Sequence, residues 1–247
     1  MQKFFVKSEQ INEKEIIING TDVKHISSVL RMKNGDNIQV CNIEDSKNYI
    51  TTITKIDKEK VVVNIIKEIS EINESNVQID LYQGLPKADK MDFIIQKVTE
   101  IGVSKIIPVS MIRCVAKIEE KSANKKIERW QKIAKSAAEQ SKRDKIPEVE
   151  NIMTFKELMK KVEDYDSFIV AYEEEVNNTL KNELKNIAKN KEYKIGVLVG
   201  PEGGIDRTEI EQLKITKVKI VTLGKRILRC ETAPIVITSN IIYELEN

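Results

Sequence analysis

The chain has 247 residues, of which 40% are apolar and 32% are charged, and its formal net charge at pH 7 is +2. This composition is typical of a folded globular protein and excludes disordered and collagen-like classes. No apolar run reaches the roughly 18 residues that a membrane-spanning helix needs, and the start of the chain does not resemble a signal peptide. We therefore expect a cytoplasmic protein with no membrane partner. The three cysteines lie far apart and His25 is the single histidine, so we expect neither a disulfide framework nor a metal site.

The first part of the chain has the pattern of a small β-rich domain. Short apolar runs, separated by turn-forming residues, extend over residues 16–66, with a helical segment, HISSVLRM, at 25–32. The polar stretch 68–76 has no periodic apolar face, so it is predicted to be a linker. We accordingly expect two domains, at residues 1–73 and 74–247.

Beyond the linker, strand and helix patterns alternate. In the first helix, Met91, Ile94, Ile95, Val98 and Ile101 recur at spacings of three and four residues. Further helices are predicted at 121–142, 176–189, 206–213 and from about residue 231 onward. The predicted strands are VQIDLYQGL, SKIIPVS, SFIVAYE, KIGVLVG and KIVTLG. Such alternation predicts an α/β fold with a parallel sheet covered on both faces.

Charge is distributed unevenly along the chain. Residues 85–145 carry 15 basic and 8 acidic residues, an excess that is typical of a protein with a phosphate-rich partner. A solvated lysine face is the alternative interpretation. Lysine outnumbers arginine 34 to 7, and Arg226 and Arg229 lie three residues apart. Since arginine suits bidentate recognition of phosphate or carboxylate, these two are candidate binding residues.

The most informative motif is GPEGGIDRTE at 200–209, which follows the apolar strand KIGVLVG and precedes a predicted helix. A glycine-rich turn at the carboxyl end of a parallel strand allows a ligand to approach the backbone closely. The motif lacks both GxGxxG spacing and a GK[ST] ending, which disfavours dinucleotide and P-loop sites. Taken alone, the loop could also be a tight turn without a ligand. The next strand ends in LGKRILRCETAP at 223–234, so the two loops are predicted to face one pocket.

These loops resemble those of the SPOUT-class methyltransferases, and in particular the RsmE-type enzymes that methylate N3 of a uridine in 16S ribosomal RNA. The matching blocks are LPKADKMDFIIQKVTEIGV at 85–103, RWQKIAKSAAEQSKRDKIPEV at 129–149, GPEGG at 200–204 and LGKRILRCETA at 223–233. HISSVLRMKNGD at 25–36 extends the resemblance over nearly the whole length. The chain departs from the family pattern at Cys230, where threonine is usual, at Lys142, where glycine is common, and at 41–45, where a glycine-containing turn is usual.

The resemblance implies an N-terminal PUA-like β-barrel domain that helps bind RNA and a C-terminal SPOUT α/β domain with a deep trefoil knot. General topology rules would exclude such a knot, so this expectation depends on the resemblance alone. It further implies S-adenosylmethionine as cofactor, 16S rRNA of the small ribosomal subunit as partner, and a homodimer that completes the site. The positions expected to bind the cofactor are Gly200, Pro201, Glu202, Gly203, Gly204, Leu223, Gly224, Ile227, Leu228, Arg229, Thr232 and Ala233.

Methylation of uracil at N3 requires loss of the N3 proton, because the neutral nitrogen has no available lone pair. Arg229 and Glu231 are the candidate catalytic residues, with Glu231 as general base and Arg229 stabilising the anion. Glu202 is the second candidate for the base, and Glu231 could instead only cap the last helix. Cys230 is interpreted as a small pocket residue, since methylation at nitrogen needs no covalent adduct. The residues assigned to RNA are Arg31, Lys87, Lys90, Arg113, Lys142, Arg143 and Arg226.

Two other functions remain open at this point. One is a noncatalytic rRNA-binding protein with a vestigial cofactor pocket. The other is an α/β enzyme that binds a different nucleotide. Binding of S-adenosylmethionine, with ATP and NAD as controls, distinguishes the three.

Overall fold

The computed structural model describes residues 1–70, 73–87, 89–115, 120–187 and 193–246, with backbone alone at residues 120 and 121. Contacts divide the chain into two compact units. The first unit comprises residues 1–74 and 138–146, and the second comprises residues 75–137 and 147–247. Of the predicted linker, residues 68 and 69 end a strand, and residues 71 and 72 lie outside the described ranges.

The first unit is built on a five-stranded sheet in the order β1-β3-β4-β5-β2. Its strands are β1 (Lys3–Val6), β2 (Glu15–Asn19), β3 (Asn37–Asn42), β4 (Asn48–Ile56) and β5 (Lys60–Ile69). β1 pairs parallel with β3, whereas the other ladders are antiparallel. The edge strands β1 and β2 do not pair with each other in the described part of the chain. The sheet is therefore a curled half-barrel, and the PUA-like β-barrel domain that we expected at the N-terminus is confirmed in this form.

Residues at alternate positions of these strands form the core of the first unit, as the period of a pleated strand requires. Core residues from the strands include Phe4, Ile16, Ile18, Ile38, Val40, Ile53, Val61 and Val63. The predicted helical segment consists of α1 (Thr21–Lys24) and a π-helical turn, His25–Val29. Its buried Ile26 packs into the same core.

Residues 138–146 join the first unit through a buried polar cluster centred on Asp144. The Asp144 carboxylate forms an ion pair with Lys3 and accepts a hydrogen bond from the side chain of Asn48 at 2.7 Å. Both charged side chains are fully buried. A buried charge is stable only when it is paired and hydrogen-bonded, so this cluster fixes the position of the segment.

Arg143 belongs to the same cluster. Its guanidinium lies 2.6 Å from the Glu74 carboxylate, and the residue is only 5% exposed. An arginine that is buried and already paired with a carboxylate is poorly placed to contact an RNA phosphate. The structure therefore disfavours the assignment of Arg143 to RNA.

The second unit contains a parallel sheet in the order β12-β10-β11-β6-β7-β8, with β9 beside β7. Its strands are β6 (Val77–Gly84), β7 (Lys105–Ser110), β8 (Glu148–Val149), β9 (Met153–Thr154), β10 (Ser167–Ala171), β11 (Tyr193–Val199) and β12 (Lys219–Val221). All of these ladders are parallel, as the strand and helix alternation predicts. β6 lies between β7 and β11, so the chain order reverses there, and ligands bind at such switch points.

In the described ranges, six helices follow the strands of this sheet. They are α2 (Lys90–Ile101), α3 (Glu120–Gln140), α4 (Phe155–Met159), α5 (Leu180–Lys185), α6 (Arg207–Lys214) and α7 (Thr232–Glu246). α5 is shorter than the predicted 176–189 because Thr179 caps its N-terminus by accepting a hydrogen bond from the Asn182 N–H. Residues 188 and 189 lie outside the described ranges. Within those ranges, no helix has the length and apolar character required to cross a membrane.

Candidate active site

A cavity of about 400 Å³ opens at the carboxyl ends of β10, β11 and β12. Its size lies within the range of small-molecule sites, about 300–1,000 Å³. The walls come from the segment after β10, the GPEGG loop after β11, the loop between β12 and α7, and one residue of α2. The lining residues are Lys90, Ala171, Tyr172, Glu173, Val199, Gly200, Pro201, Glu202, Gly204, Thr222, Leu223, Gly224, Lys225, Arg226, Ile227, Leu228, Arg229, Cys230 and Ala233.

The GPEGG loop is held in place by a turn and a helix cap. The N–H of Gly204 donates to the carbonyl of Pro201 at 2.9 Å. Asp206 then caps α6, since its side chain accepts the Thr208 N–H while the Glu209 carboxylate accepts the Asp206 N–H. One short segment therefore leaves the buried strand β11, turns at the pocket and enters a helix.

Gly204 has a specific steric reason to be glycine. Its φ of +72° lies in the left-handed region that side chains disfavour. A Cβ built on Gly204 would collide with the carboxylate of Glu173. The missing side chain thus allows Glu173 to approach the loop from the end of β10.

Tyr172 and Glu173 are pocket residues that the sequence analysis missed. Both follow directly after β10, where a parallel sheet places its binding residues. The polar end of the predicted strand SFIVAYE was the available signal. In the acidic run at 173–175, however, Glu173 looks like an ordinary surface residue.

Lys90 joins two walls of the pocket. Its ammonium lies 3.1 Å from the carboxylate of Glu202, in the GPEGG loop, and 3.2 Å from that of Glu231, directly before α7. The Lys87 N–H also donates to Glu202, at 3.0 Å. Three chain segments therefore meet at Lys90.

These contacts change the acidity of the three groups. Hydrogen bonds to Glu202 and Glu231 raise the pKa of Lys90. Burial raises the pKa of Glu202, but the Lys87 N–H and the Lys90 ammonium outweigh it and hold this pKa below its usual value. For Glu231, burial is likewise outweighed by the Cys230 thiol and by Lys90, and its pKa is lowered. Both carboxylates are consequently ionised and weakly basic at neutral pH.

Cys230 is a buried thiol at the wall of the pocket. Burial raises its pKa to about 12, and its Sγ donates to the Glu231 carboxylate at 3.2 Å. A thiol that stays protonated is a poor nucleophile. The structure therefore favours the interpretation of Cys230 as a packing and hydrogen-bonding residue.

The predicted cofactor positions converge on this cavity, except for Gly203 and Thr232, which do not line it. Gly203 faces away, since a Cβ built there would lie 3.0 Å from Cβ of Arg113. Of the two predicted catalytic residues, Arg229 lines the cavity, whereas Glu231 is not among the lining residues and lies against Lys90.

The residues assigned to RNA occupy different environments. In the second unit, Lys87 and Arg226 are exposed and Lys90 is held by two carboxylates. Arg113 donates to Asp206 at 3.1 Å and to the Gly203 carbonyl at 3.0 Å, so it stabilises the GPEGG loop. In the first unit, Arg31 and Lys142 are exposed and have positive φ angles.

The rim of the pocket carries three cations close together in sequence. Lys225, Arg226 and Arg229 are all exposed, and no ion pair joins any of them to a carboxylate within the described part of the chain. Lys90, by contrast, is paired with two carboxylates. An unpaired cationic rim attracts an anionic partner.

Comparisons with known proteins agree with this geometry. An RNA methyltransferase domain family matches residues 73–242, and an RNA methyltransferase PUA domain family matches residues 18–66. The Bacillus subtilis ribosomal RNA small subunit methyltransferase E is 38% identical over 251 aligned positions, which cover 100% of this chain and 98% of that protein. This chain belongs to the ribosomal RNA small subunit methyltransferase E family.

Solved structures place the fold in the same family. The Neisseria gonorrhoeae ribosomal RNA small subunit methyltransferase E, bound to S-adenosyl methionine, is 31% identical with a TM-score of 0.86, covering 99% of this chain and 98% of that one. A Legionella pneumophila methyltransferase with bound cofactor SAM is 26% identical with a TM-score of 0.88, covering 98% and 96%. The fold is therefore a PUA-like domain followed by a methyltransferase domain.

Proposed function

We propose that this member of the methyltransferase E family transfers the methyl group of S-adenosylmethionine to N3 of a uridine in 16S rRNA of the small ribosomal subunit. The observation that carries the proposal is the cavity at the carboxyl ends of β10, β11 and β12, walled by the GPEGG and ILRCET loops. A noncatalytic rRNA-binding protein would not need these walls intact. Family membership also favours the enzyme over that alternative.

The cavity suits S-adenosylmethionine in size and chemistry. This cofactor combines an apolar adenine face with hydroxyls, a sulfonium and an ammonium group. The wall offers apolar side chains at Val199, Leu223 and Ile227, and a carboxylate at Glu173. The other residues proposed to hold the cofactor are Gly200, Pro201, Glu202, Gly204, Gly224, Leu228, Arg229 and Ala233. Gly203 and Thr232 do not line the cavity, so we propose that they affect binding only through the shape of their loops.

The bound cofactor supplies an electrophilic methyl group, so the chain must align uracil and stabilise its N3 anion. Arg229 is the proposed catalytic cation because it lines the cavity and is free of a carboxylate partner in the described residues. Glu231 is the proposed proton acceptor. Its lowered pKa makes it a weak base, so we assign the larger share of rate enhancement to Arg229.

RNA is proposed to approach the cavity across its cationic rim, where Arg226 contacts phosphate. Lys87 adds an exposed cation in the same unit, and Arg31 and Lys142 add exposed cations in the first unit. The PUA-like domain supports an RNA partner. A ribosomal substrate also implies a cytoplasmic location.

A trefoil knot is also part of the proposal, and it depends on the family resemblance alone.

A homodimer is the proposed assembly. α7 packs against α2, β6 and β11 on one side, and its sequence has no charged residue before Glu244. Tyr243 of α7 is 72% exposed and Phe93 of α2 is 45% exposed. Large apolar side chains on two packed helices are favourable when a second copy covers them. Sedimentation of the purified protein tests the homodimer. A monomer at micromolar concentration would contradict it.

Cofactor binding tests the proposed function. Calorimetric titration with S-adenosylmethionine should show one site per chain with a dissociation constant in the micromolar range or below. ATP and NAD are the controls and should not bind. Binding of ATP or NAD in preference to S-adenosylmethionine would indicate a different α/β enzyme.

A further inference from the structure

Lys90 occupies an unusual position on its helix. It is the first residue of α2, where the aligned peptide dipoles place partial positive charge and a cation is disfavoured. Helix stability therefore does not explain a lysine here. The two carboxylates that face its ammonium provide an explanation.

Those carboxylates belong to the two loops that wall the cavity. Glu202 lies in the loop after β11 and Glu231 lies at the end of the loop before α7, 29 residues apart in the sequence. The Lys90 ammonium lies within 3.2 Å of both. One side chain of α2 thus connects the two loops across the wall of the pocket.

The bridge also limits what Lys90 can do elsewhere. Two carboxylates already neutralise its charge, and its side chain is 35% exposed. A phosphate group would have to compete with both of them. This contrasts with Arg226 and Arg229, which face solvent without a carboxylate partner in the described residues.

We infer that Lys90 is a positioning residue that holds the Glu202 and Glu231 loops at the spacing required for S-adenosylmethionine, and that it contacts neither RNA phosphate nor the reacting base. The inference rests on the proposed function, because it concerns the same cavity. It predicts that loss of the lysine lowers cofactor affinity through a less ordered pocket, since preorganisation of a binding site contributes to affinity. It replaces the assignment of Lys90 to RNA.

Calorimetric titration with S-adenosylmethionine tests the inference in Lys90→Met, Lys90→Arg and the matched control Lys97→Met. Lys97 lies on the same helix, is similarly exposed and forms an ion pair with Glu100 at 2.9 Å, away from the cavity. Lys90→Met should weaken binding about 10-fold, which is the size expected for two partly exposed ion pairs. Lys90→Arg should recover most of this loss, and Lys97→Met should match wild type.

A double-mutant cycle identifies the bridge as the cause. Glu231→Gln should weaken binding by itself, and the double variant with Lys90→Met should be no weaker than Lys90→Met alone, because contacting residues do not act additively. Glu231→Gln also provides the test if Lys90→Met does not fold. The salt dependence of RNA binding should not change in Lys90→Met.

Three results would overturn the inference. Wild-type affinity in Lys90→Met would show that the bridge does not order the pocket. A large loss of single-turnover rate with unchanged affinity would make Lys90 a catalytic residue, and a flatter salt dependence would return it to the RNA surface. If wild-type protein itself does not bind S-adenosylmethionine, the proposed function fails instead.

Discussion

Pro201 of the GPEGG loop packs directly against Gly84, the last residue of β6. A Cβ built on Gly84 would lie 2.6 Å from Cδ of the Pro201 ring and 2.6 Å from its backbone nitrogen. Gln83 adds a hydrogen bond from its side-chain amide to the carbonyl of Gly200 at 3.3 Å. The loop that forms one pocket wall therefore rests on the end of the neighbouring strand, at the switch point of the sheet.

Gly84→Ala should disturb this contact. The new methyl group meets backbone atoms, which cannot move aside cheaply, so the free energy of unfolding should fall by about 1–3 kcal/mol. Affinity for S-adenosylmethionine should fall as well, because the loop must shift. Urea denaturation and calorimetry measure the two effects, with Ser110→Ala at the exposed end of β7 as control. Unchanged affinity would mean that this packing does not shape the pocket.

Lys142 and Arg143 should behave differently despite being neighbours. Arg143→Ala leaves the mostly buried Glu74 carboxylate without its guanidinium partner, and breaking such a pair costs about 3–5 kcal/mol. Lys142→Ala should leave folding nearly unchanged and reduce the slope of RNA affinity against salt by about 1. Urea denaturation and RNA binding between 50 and about 200 mM salt test the pair. An unchanged slope in Lys142→Ala would move the RNA contact to another part of the surface.

The backbone at Lys142 supplies a separate prediction. Its φ of +60° lies in the left-handed region, which costs a residue with a side chain roughly 1–2 kcal/mol. Lys142→Gly should therefore raise the free energy of unfolding by about 1 kcal/mol. A lower stability of this variant would show that the Lys142 side chain makes a compensating contact.

Asp80 should make stability depend on pH. Burial raises the pKa of its carboxyl group, opposed by the hydrogen bond from the Tyr165 hydroxyl at 3.0 Å. A raised pKa in the folded state favours folding below the usual carboxyl range, and this contribution is lost as pH rises through the folded pKa. We therefore compare the free energy of unfolding of Asp80→Asn with that of wild type at two pH values. The difference should favour the variant more at pH 7 than at pH 3.5. A difference between the two proteins that does not change with pH would contradict this.

The sequence predicts the sheet of the second unit better than it predicts which residues line the pocket. β6, β10 and β11 are apolar runs between helical patterns, and this local signal is sufficient to predict parallel strands. Glu173 and Lys90 give no comparable signal. Their importance depends on Gly204 and Glu231, which lie far away in sequence.

The first unit shows the same limit. β1 is a four-residue strand with three apolar residues, and its partner, β3, lies more than 30 residues away. No turn signal connects them. From the sequence, residues 138–142 look like the end of a basic helix of the second unit. In the structure they belong to the first unit, where Lys3 and Asn48 bind the nearby Asp144. Only tertiary contacts distinguish the buried Arg143 from the exposed Lys142.

Arg229 and Glu231 can be separated by single-turnover kinetics. If Arg229 stabilises the N3 anion, Arg229→Lys should lower the rate by about 100-fold or more, because a point charge cannot reproduce the planar guanidinium. If Glu231 is the general base, Glu231→Gln should lower the rate by roughly 100- to 10,000-fold, with partial recovery at higher pH. The lowered pKa of Glu231 predicts the larger loss for Arg229→Lys. Near-normal rates in both variants would leave Glu202 or a residue of the second subunit as the base.

Methyl transfer to the small ribosomal subunit tests the central claim most directly. Purified protein is incubated with labelled S-adenosylmethionine and small subunits from a strain that lacks the enzyme, and the modified nucleoside is identified by mass spectrometry. We predict one labelled uridine in 16S rRNA, methylated at N3, and no labelling with Arg229→Ala. Absence of transfer by wild-type protein, or a methyl group on another atom or base, would contradict the proposed function.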